Sequence, residues 1–366
     1  MSASVLDSPD IYARLDPTRL YDRIAGLPEQ IKSAWAASRA LPLPEAYGDA
    51  ERVVVLGMGG SGVGGGLVQA LAVDVRARVP VSVVRGYGLP AYVDERTLVL
   101  ASSNSGNTEE TVTAFESAVE AGAMCVAITT GGKLGELADK HDIPSLGFEW
   151  QGEPRSALGW STASLLAICG GLGLLPDLGA DLGLALEAMQ TLCEECSRDV
   201  PEAGNPAKEL ARRFQGKLAV IIGAQALAPV AYRWRTQINE NAKAWAVADE
   251  LPEMNHNAPL GFGAPRALLP LLHVVLLRHA SMHPRIVLRV EATLQQLHTA
   301  GVAAEVVHVP GPSILAQMLW AIQLGDFMSY YLGLLHGVDP SPMGALEWIK
   351  SYMAAHATPN PLEPGP

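Results

Sequence analysis

The stretch TLVLASSNSGNTEET, Thr97–Thr111, joins a short apolar run to a tract of hydroxyl and amide side chains and then enters a helical pattern. Thr97–Ala101 reads as a buried strand, because a strand covered on both faces is apolar at every position. Glu109–Ala121 carries apolar residues at helical spacing. A plain strand-to-helix turn needs one glycine or one capping residue. This one also holds Ser102, Ser103, Ser105 and Thr108. Asn107 and Glu110 have capping-box spacing, which leaves the upstream serines unexplained. Hydroxyls at a strand's carboxyl end, beside a helix N-terminus, suit a phosphate.

The same alternation recurs on either side. Arg52–Leu56, Val79–Val84 and Ala123–Ile128 are further short runs rich in aliphatic residues, with helix-like stretches between them. The pattern restarts at Lys217–Ile222, continues at Leu272–Leu277 and Ala304–Val309, and ends in long helical segments. Strand–helix alternation of this kind means a parallel sheet covered on both faces. It predicts an α/β chain of two tandem units: residues 1–176, a helical connector and linker over 177–203, and residues 204–366. Glu240 falls on a helix expected to run to about Val247, followed by an exposed loop, Asp249–Leu260.

Composition narrows the function classes. The content is 49% hydrophobic and 17% charged, which fits a packed globular protein and excludes a disordered one. A net charge of −12 argues against nucleic acid or an anionic membrane as partner. The Met1–Asp10 segment has neither the basic start nor the apolar core of a signal peptide. Ala157–Pro176 is uncharged but contains four glycines and ends at a proline, so a helix buried between sheets is expected rather than a membrane span. Cys193 and Cys196 form a lone CxxC without a second pair to complete a zinc site. With Cys125 and Cys169 they read as reduced thiols of a cytoplasmic protein.

After the first strand comes GMGGSGVGGG, Gly57–Gly66. Taken alone, Gly57-x-Gly59-x-x-Gly62 satisfies a dinucleotide fingerprint, a weak signal. That reading wants an acid after the second strand, where this chain has Arg85, which would suit only NADP. A packing turn with no ligand is the plainer alternative. Two such turns, at the ends of two strands of one sheet, converge on one crevice and can hold one anion between them.

The order GMGGSG, SxSGNTEET, ITTGGKL (Ile128–Leu134) and EPRSALGW (Glu153–Trp160) resembles the sugar isomerase (SIS) domain. The chain is more narrowly similar to the bifunctional phosphoglucose/phosphomannose isomerase family. RWRTQINENAKAWAVADELPEMNHN (Arg233–Asn257) and LGDFMSYYLGLLHGVDPSPM (Leu324–Met343), followed by Lys350, carry the likeness into the second half. The resemblance implies two SIS domains, each a doubly wound five-stranded parallel sheet flanked by helices, in a homodimer without metal or nucleotide cofactor. It implies an aldose–ketose isomerase of glucose 6-phosphate, mannose 6-phosphate and fructose 6-phosphate. Gly59, Gly60, Ser61, Ser103, Ser105 and Thr108 match its substrate contacts. Glu240 matches the catalytic base and Arg155 the group that stabilises negative charge. His256 and Lys350 match groups that assist ring opening, with His256 contributed across the dimer interface.

Plainer readings stand beside these. Glu240 and Lys243 are three apart and make a solvated helix ion pair by default. His256 is in a loop suited to surface histidines, Lys350 suits the end of a helix, and Arg155 follows a proline and could cap a turn. The chain departs from the family pattern at Asn104, at Ala258–Pro259, and at Ser341. A sugar-phosphate sensor without catalysis, and an NADP-dependent oxidoreductase, are the competing functions.

Overall fold

The computed structural model describes residues 4–356, so the outer ends of the two expected domain ranges, 1–3 and 357–366, lie outside the described residues. The chain opens with three helices, α1 (Pro9–Leu15), α2 (Leu20–Ala25) and α3 (Leu27–Arg39). The first sheet then builds through β1 (Arg52–Leu56), α4 (Gly59–Asp74), β2 (Val81–Val84), β3 (Thr97–Ser103), α5 (Glu109–Glu120), β4 (Met124–Thr129), α6 (Gly132–Lys140) and β5 (Ser145–Gly147). Its order is β2-β1-β3-β4-β5, and every neighbouring pair is parallel. The order reverses between β1 and β3. That switch point is where loops at the carboxyl ends of strands leave a crevice. The glycine turn after β1 and the serine loop after β3 both open there.

α7 (Leu158–Gly171) ends the first unit, and the connector holds α8 (Gly179–Glu195). The uncharged stretch proves to be α7, buried almost throughout, and among the described residues no helix is long and apolar enough to cross a membrane. Gly159 of α7 lets α3 approach. A Cβ there would lie 2.6 Å from the Gln30 Oε1 that accepts the Gly159 N–H.

The second sheet follows α9 (Pro206–Phe214) and runs β6 (Leu218–Ala224), α10 (Ala228–Asn241), β7 (Ala246–Leu251), β8 (Leu272–His279), α11 (Pro284–Thr299) and β9 (Ala303–Val309). Its order is β7-β6-β8-β9, all parallel. Among the described residues this sheet has four strands, and the expected fifth does not form. After β9 the chain enters α12 (Ile314–Leu335), apolar all round and buried on nearly every side. Such a helix is stable only inside the molecule. It packs against the chain's own beginning: Tyr330 Oη donates to Asp16 Oδ2 at 3.0 Å and Gln323 Nε2 to the Ile24 carbonyl at 2.8 Å. The two halves therefore share one core.

Two boundaries differ from expectation. α10 stops at Asn241 instead of running to about Val247, because Lys243 adopts a left-handed backbone (φ 51°) and the chain turns. Asn239 Oδ1 accepts the Ala246 N–H at 2.9 Å, which starts β7. β7 is an edge strand bearing Asp249 and Glu250, and its charge hid it from an apolar-run reading while it protects the edge. All four cysteines are free and buried, and burial pushes their thiols up to about 12.

Candidate active site

The first wall of the crevice is the turn into α4. Gly59 takes φ 52°, a left-handed conformation natural to glycine. Gly60 is pressed on the segment before α7, where a Cβ would sit 3.2 Å from the Pro154 carbonyl and 3.4 Å from the Arg155 Cα. Ser61 is half-buried in the first turn of the helix. This close approach brings the glycine turn and Arg155 together.

The second wall is the serine loop. Ser103 is buried at the end of β3, and its Oγ donates to Thr108 Oγ1 at 3.1 Å. Thr108 is the N-cap of α5 yet makes no side-chain capping bond, so its hydroxyl is not spent on the helix. Ser105 is exposed, and its Oγ accepts the Asn107 N–H at 3.3 Å. The loop is clamped to the loop after β4: Asn104 O accepts Thr130 N at 3.1 Å and Gly106 O accepts Leu134 N at 2.9 Å. Asn107 Oδ1 accepts Lys133 N at 3.1 Å, so Asn107 braces this neighbour rather than forming a capping box.

Arg155 and Glu240 face each other. Arg155 is 3% exposed, and its Nη1 lies 3.5 Å from Glu240 Oε2, whose side chain stays partly open to solvent. Arg155 Nε donates to Asn241 Oδ1 and its Nη2 to the Pro340 carbonyl, both at 2.7 Å. Burial pushes the guanidinium below the usual arginine range, while Glu240 and Glu153 act the other way. Behind it, Arg233 pairs with Asp326 at 2.8 Å and donates to the Arg155 carbonyl at 2.9 Å. Glu153 pairs with Arg23 at 2.7 Å. Burial alone would raise the Glu153 carboxyl, but the Ser341 hydroxyl and the charges of Arg23 and Arg155 hold it below the ordinary range.

The helix ion pair between Glu240 and Lys243 does not form. Lys243 Nζ instead donates to three carbonyls, of Glu240 (2.6 Å), Pro340 (2.9 Å) and Pro342 (2.7 Å). Burial, then the Arg155 charge, pushes this ammonium down. The Glu240 carboxylate is left with Arg155 as its neighbour. At the end of β2, Arg85 Nη2 donates to the Gly62 carbonyl at 2.8 Å, so this arginine braces the glycine turn and is not poised for a nucleotide phosphate.

His256 and Lys350 are not drawn into this cluster. His256 is exposed, and its side chain makes no hydrogen bond or ion pair among the described residues. Lys350 stands on α13 (Gly344–Ala355), a helix exposed at every residue. α10 runs back from the carboxyl end of β6, and Glu240 stands beside the start of β7. His256 lies beyond the other end of that six-residue strand. At about 3.3 Å per residue the two edges are roughly 17–20 Å apart.

Residues 47–144 match the SIS domain model, and residues 203–353 match the model of the bacterial phospho-glucose isomerase C-terminal SIS domain. The bifunctional phosphoglucose/phosphomannose isomerase of Caldicellulosiruptor bescii is 36% identical over 92% of this chain and 99% of its own length. The chain belongs to the bifunctional phosphoglucose/phosphomannose isomerase family. The family's protein of the same name in Aquifex aeolicus is 33% identical over 83% of this chain and 91% of its own. A hypothetical protein of Thermus thermophilus shares the fold, with a TM-score of 0.72 at 18% identity, covering 92% of this chain and 90% of that one. Within this family the matched models fall on the two sheets in turn.

Sequence reasoning missed three parts of the site. Asn241 is adjacent to Glu240 in the INEN motif, a signal that was available. The Pro340–Pro342 strap contributes main-chain carbonyls, which no side-chain motif reveals. The Arg23–Glu153 pair joins residues 130 apart.

Proposed function

We propose that this chain interconverts glucose 6-phosphate and mannose 6-phosphate with fructose 6-phosphate. The observation that carries the reading is a buried guanidinium 3.5 Å from an accessible carboxylate, beside a crevice rimmed by two helix N-termini and the hydroxyls of Ser103, Ser105 and Thr108. In this reading Gly59, Gly60 and Ser61 with Ser103, Ser105 and Thr108 hold the phosphate and the sugar. Hydrogen bonds to a charged group contribute roughly 1.5–3 kcal/mol each, so a few suffice as an anchor.

Glu240 removes the proton from C2 of the open-chain aldose, giving an enediolate; the hydroxyl proton passes from O2 to O1, and Glu240 returns its proton to C1 to give the ketose. No electron leaves the sugar, and one carboxylate both takes and returns the carbon-bound proton. Arg155 faces the oxygens on which negative charge develops, where a positioned cation lowers the barrier. Positioned acid–base catalysis contributes about 10²–10⁴-fold. A sensor would need the anion site alone and has no use for the Arg155–Glu240 pair.

Coupled assays with each sugar phosphate test the activity, with Glu240→Gln as the control. Conversion by the parent and loss of about 10²–10⁴-fold in a folded Glu240→Gln protein are expected. A parent inactive on all three sugars, or a fully active Glu240→Gln, overturns the reading.

We also propose a homodimer in which His256 serves the partner's site in ring opening, a step in which Lys350 also assists. The separation of Glu240 and His256 across the second sheet supports this. Mixed dimers of Glu240→Gln and His256→Ala chains should recover activity, because one of the two sites regains a complete set. Verified mixed dimers that stay inactive would place each histidine at its own site.

A further inference from the structure

We infer that Asn241 is a positioning residue for this reaction: it holds the Arg155 guanidinium off the Glu240 carboxylate, leaving the base free and the cation aimed at the substrate oxygens. The inference rests on the roles given above to Glu240 and Arg155. A guanidinium beside a carboxylate ordinarily closes to a bidentate pair at about 2.7–2.9 Å. Here the approach stops at 3.5 Å. Two neutral acceptors on different elements hold the fork back, Asn241 Oδ1 at the end of α10 and the Pro340 carbonyl on the strap, each at 2.7 Å.

The orientation of the Asn241 amide follows from chemistry. Arginine only donates, so Oδ1 must face Nε. Nδ2 is then left to donate to Ser329 Oγ at 2.9 Å, and that hydroxyl donates to the Asp326 carbonyl at 2.9 Å. Asp326 also receives Arg233, which donates to the Arg155 carbonyl. The loop closes: main chain and side chain of Arg155 are both held from α10 and α12. Asn241, Arg233, Asp326 and Ser329 are all buried, so solvent does not replace these bonds. The other charges around the pair are Glu153 with Arg23, Lys243, and Asp339 beyond it. None of them takes the place of the Asn241 acceptor on Nε.

Asn241→Leu keeps the approximate size and removes both bonds, whereas Asn241→Asp keeps an acceptor toward Nε and loses the donor to Ser329. Both are measured in the full-length chain with glucose 6-phosphate and its C2-deuterated form. A displaced guanidinium is expected to lower kcat of Asn241→Leu by about ten- to a hundred-fold, with KM within about two-fold, since small misplacements near reacting atoms are this costly. The deuterium isotope effect on kcat should rise, because proton transfer becomes the slow step, and Asn241→Asp should recover part of the loss, its oxygen restoring the Nε contact while its charge competes for the guanidinium. A packing defect would lower only the active fraction and leave the isotope effect at the parent value. A folded Asn241→Leu with parental kcat and isotope effect overturns the inference, as does an Asn241→Asp no better than Asn241→Leu at equal stability. If Asn241→Leu does not fold, Asn241→Ser, too short to reach Nε, carries the same expected and overturning results. Glu240→Gln is run alongside. If it retains activity the site reading falls with the inference; if it is inactive and Asn241→Leu is parental, the inference alone falls.

Discussion

Gly106→Ala separates the serine loop from its brace, and its cost can be worked from the coordinates. Gly106 has φ 65°, and a Cβ there would lie 1.7 Å from the Gly131 carbonyl oxygen. Real Cβ contacts stay beyond 3.0 Å, so the two loops must part by at least 1.3 Å. The left-handed backbone costs an alanine about 1 kcal/mol or somewhat more. Parting also breaks the bonds from Leu134 N to Gly106 O and from Thr130 N to Asn104 O, at about 1 kcal/mol each. The total is about 3 kcal/mol, or a fall in Tm of roughly 6–12 °C for a domain of 150–250 residues. Function should suffer through binding. Loss of one hydrogen bond to the phosphate, about 1.5 kcal/mol, raises KM and the Ki for inorganic phosphate about tenfold. Thermal unfolding and competition by inorganic phosphate measure the two effects. Unchanged Tm and unchanged phosphate inhibition would refute both the clamp and the phosphate site it supports.

Ser103→Ala and Thr108→Val each remove one hydroxyl and leave the Arg155–Glu240 pair untouched, so KM should rise about tenfold at nearly constant kcat; phosphate inhibition equal to the parent's would remove that residue from the anchor. Glu153 has a folded carboxyl below its ordinary value of 4.5, so its pairing stabilises the protein above that value and the contribution is lost as pH falls through the lower, folded value. Glu153→Gln should therefore melt below the parent at neutral pH, with the gap closing under acid; a gap that widens toward low pH would contradict the assignment.

What was legible in the sequence was local. A buried parallel strand is apolar at every position, so β1, β3, β4, β6 and β8 stood out from their own residues. The glycine turn and serine loop announced themselves for the same reason, since phosphate-suited groups follow the strand directly. β5 has three residues and β7 carries two acids at an edge, so neither offered an apolar run. Among the described residues the expected fifth strand of the second sheet does not form; after β9 the chain enters α12, whose burial depends on α8, α9 and α10 and on α1 and α2 near the chain's beginning.

The pair proposed to react obeys a different logic. Arg155 and Glu240 are 85 residues apart, and Lys243 meets the strap 97 residues on. Motif likeness could nominate those residues, but their spacing in the chain says nothing of the 3.5 Å between them. That distance is fixed by a neutral amide and a proline carbonyl, and this neutrality is what the chemistry needs. An acidic partner for Arg155 would compete for its charge with the enediolate, whereas amide and carbonyl oxygens orient the guanidinium and leave most of its charge available. A base that must accept a proton likewise cannot be locked in a tight ion pair. In the proposed reaction the loose Arg155–Glu240 contact leaves both groups available, while the buried Arg233–Asp326 pair behind it holds the Arg155 main chain in place.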